Sequence, residues 1–126
     1  MKKILILLSA AFVLVSFRLQ GDADGIIKGL KNANAEQVSS YFDSFIDLKL
    51  PEKDEVKNMG KNQASIALKG FFSDNGIKGF ELSSQREMGG TMYMAGKLQN
   101  AGKGFNITLM MKKQGGKNEI ITIRIN

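Results

Sequence analysis

The chain has no cysteine, no histidine, a single proline and only two tyrosines. Each shortage removes a class of chemistry. Without cysteine there is no disulfide, and no thiol to carry the acyl anchor of a bacterial lipoprotein, so the fold must hold by its core alone. Without histidine or cysteine there is no Cys-His or Ser-His nucleophile pair, and no zinc site built from the usual nitrogen and sulfur ligands. No glycine-rich phosphate-cradling motif follows a strand pattern, so nucleotide binding has no support. The stretch "DADG" at 22–25 opens like a calcium loop but lacks the later acidic ligands, and helix capping explains it better.

What is present begins with an export pattern. Lys2 and Lys3 precede a nearly unbroken apolar run from Ile4 to Phe17. That is the length of a secretory leader and short of the roughly 20 residues needed to span a bilayer. Gly21 and Ala23 are small and two apart, which places the cut after Ala23, although no A-x-A stands there. Residues 1–23 are therefore expected as a signal peptide and 24–126 as one domain, periplasmic or secreted. Membrane contact would come only through an uncleaved leader. Removing Lys2, Lys3, Arg18 and Asp22 from 18 basic and 12 acidic residues leaves 15 and 11, a surplus of four positive charges. Such a surplus keeps a domain soluble and attracts anions weakly. With an export signal, nucleic acid is not the expected partner.

The periodicities predict helices first and strands afterwards. Ile26, Ile27 and Leu30 recur at helical spacing after Asp22 or Asp24 as a cap, with Gly25 and Gly29 as weak points. A second helix is expected from Asn34, with Gln37 completing a capping box and Val38, Tyr41, Phe42 and Phe45 as its apolar stripe. Ile46, Leu48 and Leu50 alternate as a strand that Pro51 ends, and the charged stretch 51–61 reads as a loop. Asn62 caps a third helix with Ala64, Ala67, Leu68 and Phe71 on one face. Four β runs follow, joined by short glycine-rich turns that suit an antiparallel meander. Met92, Met94, Gly96 and Leu98 share a face, as do Phe105, Ile107, Leu109 and Met111, then Ile121, Ile123 and Ile125. One face is greasy and the other wet, so helices must cover the greasy one. The order is α-α-β-α-β-β-β-β, an α+β fold.

That order, with "GDADGIIKGLKNANAEQVSSYFD" at 21–43, "LKLP" at 48–51, "KNQASIALKGFF" at 61–72 and the closing "GGKNEIITIRIN", resembles the NTF2-like, or cystatin-like, superfamily. It is most similar to a group of small exported Bacteroidetes-type proteins of unknown function. The resemblance implies a curved antiparallel sheet wrapped around helices as a cone, with a pocket at the open end. Enzymes of the superfamily pair an Asp or Glu with a His or Tyr inside the cone. This chain has no histidine, so no catalytic residue is carried over.

Four candidate features remain. Met88, Met92 and Met94 offer soft thioethers to Cu(I), but Met92 and Met94 sit on a face continued by other apolar residues, where methionine fills core gaps, and no further ligand completes a site. No metal or cofactor is expected. Asp43 and Asp47 are the carboxylates in structured segments, and Asp43 with Tyr41 would serve a small enzyme if both entered a pocket. Tyr93 lies on the wet face. Lys97, Lys112 and Arg124 share that face on adjacent strands, and this surface could meet an envelope component, a small ligand, a protein or a second copy of the chain. The expected function is thus a non-catalytic binding or accessory domain using the cone pocket or the basic sheet face. The alternative is an enzyme with a pocket carboxylate and tyrosine.

Overall fold

The computed structural model describes residues 21–126, and the expected leader lies outside the described residues as far as residue 20. The elements run α1 (Gly21–Lys31), α2 (Ala35–Ser39), β1 (Phe42–Lys49), β2 (Val56–Gly60), α3 (Lys61–Asp74), β3 (Gly79–Met88), β4 (Thr91–Gln99), β5 (Phe105–Gln114) and β6 (Lys117–Ile125). The α+β order holds, with one strand more than expected.

In α1, Asp22 and Asp24 fill the first turn and Lys28 and Lys31 the last, each sign facing the helix end that favours it. Asp22 is no cap. Its carboxylate accepts a hydrogen bond from the Asn118 amide at 2.9 Å and so ties the helix to the β5–β6 turn. Gly25, a weak point by propensity, is needed for contact: the Tyr41 hydroxyl lies over it so closely that a Cβ would collide.

The second helix is shorter than its apolar stripe suggested. Asn34 Oδ1 accepts from the Gln37 amide at 3.1 Å, but the Gln37 side chain donates to the Gly25 carbonyl at 3.1 Å instead of closing a capping box. Ser39 and Ser40 turn their hydroxyls back onto the carbonyls of Glu36 and Gln37 as the helix ends. The Ile120 amide then donates to the Tyr41 carbonyl at 2.7 Å, and the chain has become strand. Phe42, Ile46 and Leu48 point inward at a period of two, which leaves Phe45 61% exposed on the other side.

The expected loop at 51–61 contains β2. Leu50 accepts from the Lys53 amide across a turn with Pro51 second and Glu52 in the left-handed region, φ 63°. β2 then pairs antiparallel with β1 at the sheet's edge. None of its residues is buried, so no alternation marks it in the sequence. Helix α3 starts at Lys61 after Gly60, without a side-chain cap, so Asn62 lies within it. Ala64, Leu68, Phe71 and Phe72 are its buried face. Asn75 closes its end by donating to the Phe71 carbonyl at 2.9 Å.

The sheet order is β2-β1-β6-β5-β4-β3, antiparallel throughout except for the parallel β1–β6 pair. Gly89–Gly90 and Gly115–Gly116 have positive φ in both pairs, as two-residue hairpin turns require. Met94, Leu98, Ile107, Leu109, Met111, Ile123 and Ile125 are fully buried against α1 and α3, where Ile26, Leu30 and Leu68 are equally dry. The expectation for Ile121 fails. A bulge between Met110 and Met111 sets Ile120 opposite Met111, so Ile120 enters the core and Ile121 is left half-buried.

Candidate binding surface

The concave side of the sheet is the expected place for a ligand, and it is packed. Its central residues are hydrocarbon and thioether, and no buried side-chain nitrogen or oxygen lacks a partner among the described residues. The hollows lie outside the core. One, about 550 Å³, opens between the β1–β2 turn and α3, with Leu50, Glu52, Ile66, Phe71 and Phe105 in its wall. A second, about 450 Å³, sits where the α1–α2 turn meets α3 near Glu36, Lys69 and Phe72. A third, about 400 Å³, lies by the β4–β5 turn with Glu81, Lys97 and Lys103 in its wall, and a fourth, about 320 Å³, gathers Asp22, Tyr41, Lys61, Lys117 and Glu119.

Tyr41 therefore borders a hollow, but Asp43 does not join it. Asp43 sits on β1 instead of at a helix end, and its carboxylate accepts from the Ser44 amide at 2.8 Å. Asp47 is likewise occupied, accepting from the Asn58 amide at 3.0 Å beside β2. Neither carboxylate faces a tyrosine across a cavity.

The methionines do not converge either. Register places Met88 opposite Thr91, hence on the outer face, while Met92 and Met94 point inward. Met94 is fully buried, and the Met92 sulfur accepts from Gln85 Nε2 at 3.5 Å. The described residues hold no group of three or more acidic, histidine or cysteine side chains able to grip a metal.

The outer face is where the remaining candidates meet. Pairing across the strands draws a row Arg86–Tyr93–Met110–Thr122–Asp47, with Ala95 and Thr108 beside it. Tyr93, Met110 and Ala95 are half-buried, Thr108 is exposed and Thr122 is buried. Lys97, Lys112 and Arg124 do share this face, and each has a carboxylate neighbour. Lys97 stands opposite Glu81 and Lys112 opposite Glu119, while Arg124 Nε bonds Glu55 Oε1 at 2.9 Å. The face is thus mixed in charge around a small apolar centre, rather than a uniform cationic field.

Met110, Glu81, Glu119 and Glu55 were not singled out from the sequence. Two of these pairings were within reach of it. A two-residue turn at Gly115–Gly116 sets Lys112 against Glu119, and one at Gly89–Gly90 sets Tyr93 against Arg86. Glu55 reaches Arg124 from the segment before β2, which no local pattern reveals.

The comparisons agree on architecture. The chain is similar to a DUF4783 family protein from Bacteroides uniformis, with 24% identity and a TM-score of 0.75 over 82% of this chain and 94% of that one. It is also similar to an uncharacterized cystatin-fold protein from Novosphingobium aromaticivorans, with 14% identity and a TM-score of 0.63 over 86% and 97%. An NTF2-like protein of unknown function from Cytophaga hutchinsonii gives 12% identity and a TM-score of 0.59 over 86% and 88%. At these identities the likeness shows the fold alone. The comparison with curated proteins finds no match. The family model for the domain of unknown function DUF4783 matches residues 23–126, so the chain belongs to that family and carries the NTF2-like, cystatin-type α+β fold.

Proposed function

We propose that this protein is an exported, non-catalytic binding module that engages a protein partner through the outer face of its sheet. One contrast carries the reading. The cone interior is filled by side chains with no reactive group, whereas the outer face sets Tyr93 and Met110 in a partly exposed centre ringed by charges of both signs. An aromatic anchor within a polar rim is the composition of a protein contact. A free anion would meet Glu81, Glu119 and Glu55 beside Lys97, Lys112 and Arg124. The leader pattern supports an envelope or extracellular site of action.

The test is recovery of bound proteins from the cell envelope with the wild-type domain and with Tyr93→Glu. A partner, whether another envelope protein or a second copy, is expected on the wild type and absent from the variant. Equal recovery by both, or a small molecule held in one of the hollows, overturns the reading.

A further inference from the structure

We infer that the leader is cut on the N-terminal side of Asp22, at the Gly21–Asp22 bond, and not after Ala23. The inference rests on the export reading above and concerns where processing ends. The spacing of small residues points to Ala23, because Ala23 and Gly21 then stand first and third before the cut. The fold argues otherwise. Within helix α1 both Asp22 and Ala23 are engaged. Asp22 holds the Asn118 amide of the β5–β6 turn at 2.9 Å, in a partly buried site. Ala23 is 7% exposed and belongs to the core cluster. A cut after Ala23 discards both residues and strips a partner from Asn118.

Gly21 is the nearest small residue that avoids these losses. Water adds across the Gly21–Asp22 amide, leaving the Gly21 carboxylate on the leader and the Asp22 ammonium on the domain. The Asp22 side-chain carboxylate then stands next to that ammonium and offsets it at the helix end.

The experiment uses the full chain in an exporting Gram-negative host, reading the mass and N-terminal sequence of the periplasmic product. A product beginning at Asp22 is the expected result. A product beginning at Asp24 overturns the inference. A start upstream of Asp22 overturns the assignment of the bond, and an intact chain of 126 residues overturns the export reading on which it stands. Ala23→Leu supplies a second reading, taken by pulse labelling before folding matters. Leucine at the last leader position blocks a cut after residue 23 but leaves Gly21 untouched. Leader removal is expected at the wild-type rate, and a loss of tenfold or more overturns the assignment.

Discussion

The two faces of one sheet are built from the same strands and could hardly differ more in what they tolerate. On the inner face, Leu109 is flanked across the strands by Met94 and Ile123, all three without exposure. One residue along, Met110 is flanked by Tyr93 and Thr122 and remains half-open. A period of two separates a dry core from a wet surface, so adjacent substitutions should have unlike consequences. The inner row is dry, and the outer row is partly open to solvent.

The contrast breaks most severely from the inside. Leu109→Ala is expected to cost about 2–5 kcal/mol, the range for deleting a fully buried leucine, read as a lowered urea midpoint with circular dichroism. Gly25→Ala is next. It pushes a methyl into the Tyr41 ring, an overpacking cost of about 1–3 kcal/mol. Replacing Tyr41 with Phe in that background should recover part of the loss, because the hydroxyl is the nearest atom. On the outer face, Arg124→Ala removes one exposed ion pair with Glu55 and should cost about 0.2–1 kcal/mol, less at high salt. Tyr93→Glu sharpens the comparison further. At this half-buried position its unfolding free energy should fall by no more than about 1 kcal/mol, while partner recovery is lost.

How much of this could be read from the chain depends on whether a segment has a buried side. The meander from β3 to β6 was legible because alternation and short Gly-Gly turns agree with each other. Helix α3 was legible for the same reason at helical spacing. β2 was hidden because an edge strand with no buried residue imprints no pattern. The end of α2 was hidden because Val38, Tyr41, Phe42 and Phe45 recur at helical spacing although the chain is strand from Phe42. Only pairing of Tyr41 with Ile120, far along the chain, decides between helix and strand. Ile121 was misplaced by one bulge, which shifts the inward set by a residue. For the outer face, the sequence supplied Tyr93, Lys97, Lys112 and Arg124. The carboxylates that moderate those cations come from register and from a distant loop.

The central claim is that contact is made on the outer sheet face and not in a hollow or the cone. Lysine acetylation footprinting of the recovered complex tests it most directly, since Lys112 marks the face while Lys53, Lys69 and Lys103 each line a hollow. Protection of Lys112, with Lys53, Lys69 and Lys103 labelled as in the free domain, is the predicted result. Protection of Lys53, Lys69 or Lys103 with Lys112 still reactive would contradict it.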